Sequence, residues 1–136
     1  MMILAFQLKY QEIIFSYAHV EKKQLVTIKN KVNKIELILN KEHVHRDDLK
    51  TITGKSIKLD KLKIENFIKD FNTKESAKAK WVSCAVIKIS FKDGTFVSYI
   101  CNGYHGEDIE GNEFCLGFNI IEKYWGIKER ELCLTN

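Results

Sequence analysis

The sequence predicts an α+β domain in which a mainly antiparallel sheet is organised on a central Asp-Gly hairpin. One amphipathic helix over 60–71 and a short C-terminal helix over 120–125 pack on that sheet. Two apolar runs, 81–91 and 95–101, flank Asp93 and Gly94, which is the strongest short-range signature of a hairpin. Ile64, Phe67, Ile68 and Phe71 recur at i, i+3, i+4 and i+7, a single stripe of a helix. The chain has 136 residues, of which 45% are hydrophobic and 29% charged. A single domain of that size buries roughly two thirds of the surface of its extended chain, so no structural metal or disulfide is required.

In chain order, the mixed runs 3–10 and 13–18 read as strands, because Phe, Ile and Tyr are frequent and no helix cap precedes them. A basic turn leads to the apolar run 25–28, and a polar break over 30–34 leads to a strand over 35–39, with a helix from Ile35 as the competing reading. The polar stretch 41–58 reads as a long connection. The helix over 60–71 takes Asp60 as its N-cap, with Leu59 and Ile64 at the two positions of a hydrophobic staple. A charged linker over 73–80 precedes the hairpin, and a glycine-punctuated acidic loop over 103–112 follows it. The run 114–118 reads as a strand, Asn119 as the cap of a short helix that Gly126 stops, and 132–134 as a last edge strand.

A two-residue type I′ turn places Phe91 opposite Phe96, Ile89 opposite Ser98 and Ile87 opposite Ile100. Side chains alternate across a strand, so Ser90, Lys88, Val86, Val97, Tyr99 and Cys101 take the other side. In that register the 60–71 helix covers the 82–86 end of the second face. Lys88, Val97 and Tyr99 stay free near the turn, an aromatic and cationic arrangement suited to contact.

The net charge of +4 is divided: 17 Lys and Arg stand against 10 Asp and Glu through Lys80, and 5 against 8 from Trp81 onward. Arg46 and Arg130 are the two arginines; the other cations are lysines. Planar, bidentate recognition of guanine favours arginine, so the composition argues against sequence-specific nucleic-acid reading. It leaves, as the alternative function, non-specific binding of nucleic acid or of an anionic small molecule through the Lys-rich N-terminal half, with Lys22, Lys23, Lys29, Lys31, Lys34, Lys58, Lys61 and Lys63 as contributors. The opening residues 1–6 are followed by Gln7, Lys9 and Glu12, unlike a signal peptide, and no apolar run approaches the roughly 20 residues of a membrane span. The expected location is the cytoplasm. The abundance of Lys, Ile and Asn without proline suits an AT-rich genome, such as a low-GC bacterium or its phage.

Cys84, Cys101, Cys115 and Cys133 contain no C-x-x-C pair, so they read as buried free thiols and not as a zinc site. The run His43, Val44, His45, Arg46, Asp47, Asp48 resembles the H-x-H-x-D-H metal motif of metallo-β-lactamase-like hydrolases, with Asp48 in place of the final His. The resemblance covers six residues and implies, as an outside alternative, a metal-dependent hydrolase built on His43 and His45. The acidic loop lacks the ligand order of a calcium-binding EF-hand. Cys101 with His105, oriented by Glu107 and Asp108, has the composition of a nucleophile and base, although Cys101 points into the core in the register above. None of the Gly-rich, nucleophile-elbow or zinc-protease motifs occurs.

No catalytic residue, metal or cofactor is therefore assigned. The expected function is a small non-catalytic binding protein acting on a macromolecular partner, a protein, in the manner of an inhibitor, immunity or phage anti-defence protein. Its binding residues are expected on the free hairpin face, at Lys88, Val97 and Tyr99, and on the acidic loop, at Tyr104, His105, Glu107, Asp108 and Glu110. Homo-oligomerisation is compatible with the same surface, and no membrane partner is expected.

Overall fold

The computed structural model describes residues 31–39, 49 and 55–132. The strands expected over 3–10, 13–18 and 25–28, the His43 and His45 run and residues 133–136 lie outside the described residues. Seven strands are described: β1 (Val32–Leu39), β2 (Lys55–Lys58), β3 (Glu75–Ser76), β4 (Ala85–Phe91), β5 (Phe96–Cys101), β6 (His105–Glu107) and β7 (Glu113–Cys115). They form one sheet in the order β2-β1-β4-β5-β6-β7-β3, antiparallel at every pairing. The helices are α1 (Ile64–Phe71), α2 (Ile120–Trp125) and α3 (Glu129–Leu132). The α+β class with an antiparallel sheet is thus observed. Among the described residues no helix is long and apolar enough to cross a membrane.

The turn between β4 and β5 differs from the expected one. Phe91 N donates to Thr95 O at 2.8 Å and Gly94 N to Phe91 O at 3.1 Å, which makes a three-residue loop of Lys92, Asp93 and Gly94. A type I′ turn needs positive φ at both central residues, whereas here Gly94 has φ 92° and no described residue other than glycine is positive. Asp93 instead serves as an acceptor: its Oδ1 takes Thr95 N at 2.9 Å and Thr95 Oγ1 at 2.6 Å. The extra loop residue shifts the pairing by one, to Ala85 with Cys101, Ile87 with Tyr99, Lys88 with Ser98, Ile89 with Val97 and Ser90 with Phe96. Every side chain of β5 therefore lies on the face opposite to the one expected.

The consequence for the core is direct. Ile35 and Leu37 of β1 stand opposite Ile89 and Ile87 of β4, and Tyr99 and Cys101 continue that face across β5. The α1 stripe of Ile64, Phe67, Ile68 and Phe71 packs on it, as do Ile120, Ile121 and Tyr124 of α2. Burying each such side chain contributes roughly 1.5–3 kcal/mol before entropic costs. The helices do not cover Val86, which sits on the other face in a second cluster with Ile38, Leu49 and Ile100, flanked by Trp81.

Three local choices fix the layers. The chain enters α1 through a 3-10 turn, Lys61–Lys63, capped by the Asp60 carboxylate, which accepts from Leu62 N at 3.0 Å. The Asp70 carboxylate joins the two helices, accepting from Lys123 Nζ and from Tyr124 Oη, each at 2.6 Å. Burial raises its pKa, but these two donors outweigh that and hold it below the ordinary carboxylate value. Gly106 faces the Phe114 ring so closely that any β-carbon would collide with it.

Several elements correct the sequence expectations. β2 occupies part of the stretch read as a connection, β6 forms inside the expected acidic loop, and Leu132 closes a helix instead of opening a strand. Cys84 is disulfide-bonded, contrary to the expectation of free thiols throughout, while Cys101 and Cys115 are free.

Candidate functional site

Backbone parity sets the candidate site. Thr95 O accepts from Phe91 N, and Cys101 O accepts from Cys84 N at 3.0 Å, so the odd-numbered residues of β5 direct their peptide groups at β4. Asn102 N donates to His105 O at 3.0 Å, so the even-numbered ones, Ile100, Ser98 and Phe96, direct theirs at the β6 side. β6 is three residues long and reaches only Ile100 and Cys101. Among the described residues no strand lies beside Phe96 and Ser98 on that side.

Asp108 is the reason β6 stops. Its Oδ1 accepts from Glu110 N and Asn112 N, both at 2.9 Å, and its Oδ2 from Asn112 Nδ2 at 2.9 Å. An aspartate satisfying its own following backbone is a turn former, and here it folds 108–112 back into β7. A cleft of about 260 Å³ opens between this loop and β5. Phe96, Val97, Ser98 and Tyr99 line one side, Asp108, Ile109 and Glu110 the other, and Leu49 completes the wall. Phe96 is 45% exposed, Val97 36% and Ile109 47%, a concentration of apolar surface at the rim. The Ser98 hydroxyl is buried with no hydrogen-bond partner, and the Lys88 ammonium sits 4.4 Å from the Phe96 ring centroid.

Behind Tyr99 lies a buried lysine. Lys74 is 8% exposed and its Nζ makes no hydrogen bond. The ammonium instead rests among three rings, 4.3 Å from the centroid of Phe71, 5.7 Å from Phe114 and 5.9 Å from Tyr99. Burial pushes its pKa down to about 8, and the Asp108 carboxylate opposes that shift. Burial and the same carboxylate raise the Tyr99 phenol, which stays protonated.

The residues singled out by sequence are divided by this geometry. Val97, Tyr99, Asp108 and Glu110 line the cleft, and Lys88 adjoins it through Phe96. The expected free face carrying Lys88, Val97 and Tyr99 together does not exist, because the one-residue shift puts Lys88 on one face and Val97 and Tyr99 on the other, with Tyr99 buried. Tyr104 and His105 lie elsewhere, their amides held by Asn102 Oδ1 at 3.0 and 2.8 Å. The His105 ring stacks on Trp81, with centroids 6.2 Å apart. Glu107 stands opposite Ile100 and Glu113 in the ladder. Cys101 is buried and its thiol pushed up to about 12 by desolvation, which holds it protonated and unsuited to nucleophilic attack.

Sequence reasoning missed Phe96, Ser98, Ile109 and Lys74. The first two lay within reach of a correct turn assignment; Lys74 gave no local sign, since a single lysine after a helix is ordinarily solvated. Lys22, Lys23 and Lys29 of the lysine-rich alternative lie outside the described residues, and Lys34 lies 3.5 Å from the Glu36 carboxylate. Among the described residues no group of three or more His, Cys, Asp or Glu side chains is placed to hold a metal ion. No protein-family model, curated protein or solved structure matches the chain.

Proposed function

We propose that this chain is a small non-catalytic binding protein whose partner is another protein, taken in the cleft beside β5. One observation carries the reading: Phe96, Val97 and Ile109 are exposed together around a concave wall. Apolar and aromatic residues gathered at a concavity are the usual centre of a recognition surface. An inhibitor, an immunity protein or a phage anti-defence protein would use such a surface, and the division of charge along the chain suits a charged protein partner. The disulfide at Cys84 favours an oxidising compartment over the cytoplasm, since reducing cytosol keeps thiols free. Thiol labelling of the protein taken directly from its host cells would decide that point, a reactive Cys84 restoring the cytoplasm.

The binding reading is tested by panning short random peptides displayed on phage against the intact chain, then measuring the synthesised winners by calorimetry. Substituting both Phe96→Asp and Ile109→Asp is expected to weaken them by about tenfold or more while leaving thermal unfolding within a few degrees. Winners that bind the double variant unchanged, or a selection that yields none, would remove the cleft as the binding surface.

A further inference from the structure

We infer that the side of β5 at Phe96 and Ser98, beside which no described strand lies, receives an extended, basic segment of the partner protein as an added strand. The inference rests on the binding function proposed above and specifies its chemistry. Phe96 and Ser98 present two N–H and two C=O groups toward the place a continued β6 would have occupied, because Asp108 turns the chain away there. Unpaired strand sides are ordinarily guarded by lysine, proline or a covering loop. Here the Lys88 ammonium sits 4.4 Å from the Phe96 ring on one sheet face, while exposed Phe96, Val97 and Ile109 border a cleft on the strand's outward side. Pairing there is the mode by which sheet proteins take extended peptides, main-chain bonds giving affinity and alternate side chains giving specificity.

Charge defines the occupant. From Lys92 to Lys123 the chain has no Lys or Arg between those two residues, whereas Glu107, Asp108, Glu110 and Glu113 fall within that stretch. Asp108 and Glu110 stand in the cleft wall, and Glu110 makes no ion pair among the described residues. A Lys or Arg on the incoming strand meets Glu110, and an apolar residue beside it packs between Val97 and Ile109.

The peptides selected above test the geometry. Ser98→Pro removes an outward N–H without touching the ladder to β4, so it is tolerated as proline is on a free strand side. It is expected to weaken the peptide by about tenfold, the effect of one lost main-chain bond together with the ring's intrusion. The winning peptides are expected to carry Lys or Arg, and Glu110→Lys to weaken them by about threefold to tenfold. Should Ser98→Pro fail to fold, amide exchange in the wild-type complex reads the same point: the Phe96 and Ser98 amides become protected when peptide is bound. Peptides that depend on Phe96 and Ile109 but leave both amides unprotected would overturn strand addition while the binding function stood. Loss of all dependence on Phe96 and Ile109 would overturn both. Acidic winners, or sedimentation showing a β5-dependent dimer that excludes peptide, would overturn the basic partner.

Discussion

The two ends of β5 share one backbone and have opposite surroundings. Tyr99, Ile100 and Cys101 are no more than 6% exposed, and β6 pairs with Ile100 and Cys101 opposite β4. Phe96 and Val97, three and two residues before Tyr99, are paired on one side alone among the described residues and are 45% and 36% exposed. The contrast does not arise within β5, which carries aromatic and β-branched side chains in both halves, Phe96 and Val97 in one, Tyr99 and Ile100 in the other. It arises in its neighbour, because Asp108 closes a turn on its own backbone and leaves β6 three residues long. One half of the strand thus holds the fold, and the other half has no second partner strand among the described residues.

The largest test of the contrast is at the closed end. Phe71 is fully buried, with its ring centroid 4.9 Å from Tyr99, 5.5 Å from Phe114 and 5.6 Å from Phe67. Phe71→Ala is expected to cost about 3–5 kcal/mol in urea unfolding, through lost transfer energy and the cavity left among those rings. A cost near 1 kcal/mol would mean the closed end is not where the stability resides.

Lys74 tests the boundary between the two ends, since Tyr99 both lines the cleft and is one of the three rings around its ammonium. Its amine is charged both folded and unfolded below pH 8, so the full cost of burying the charge is felt there. Between the folded value of about 8 and the ordinary 10.5 the unfolded chain binds more protons, and stability therefore rises with pH across that window. Lys74→Met, of similar length and without charge, is expected to stabilise by about 1–3 kcal/mol at pH 7. That advantage should shrink as pH approaches 10.5. A variant that destabilises at neutral pH would show that the three rings hold the ammonium more strongly than burial opposes it.

A smaller effect is expected at the turn, and it bears on what the chain's sequence makes legible. Gly94 has φ 92° with open space around it, so Gly94→Ala should cost about 1 kcal/mol from backbone strain alone. The strain locates the left-handed position at Gly94 and not at Asp93. Asp-Gly is common to two-residue and three-residue hairpin loops, and the choice between them is made by Thr95, which places both its amide and its hydroxyl on Asp93. Composition and alternation therefore reached the antiparallel sheet, and the spacing of Ile64, Phe67, Ile68 and Phe71 located a buried stripe. The face that stripe covers depended on a single turn residue, and with it the placement of Lys88, Val97 and Tyr99. The cleft depended on two distant facts, the closure of 108–112 by Asp108 and the length of β6, and neither is written in β5. Lys74 was illegible for the same reason: its cage is assembled from α1, β5 and β7, three elements far apart in the chain.

The smallest stability effect is the most informative about the open end. Phe96 lies on the face with Lys88 and Ser90, outside both buried clusters. Phe96→Ser removes an exposed ring and its contact with the Lys88 ammonium, a change expected to stay within about 0.5–1 kcal/mol. The same substitution should weaken a cleft-binding peptide by about tenfold, because the ring is the largest apolar group at the rim. The closed end predicts the reverse pairing of effects: Cys101→Ala, a small change at a buried position, should alter stability and leave peptide affinity unchanged. Measuring unfolding and binding on both variants places each half of β5 on its own axis. If Phe96→Ser unfolds the protein as readily as a core substitution does, the exposed end carries the fold as well, and the division of β5 fails.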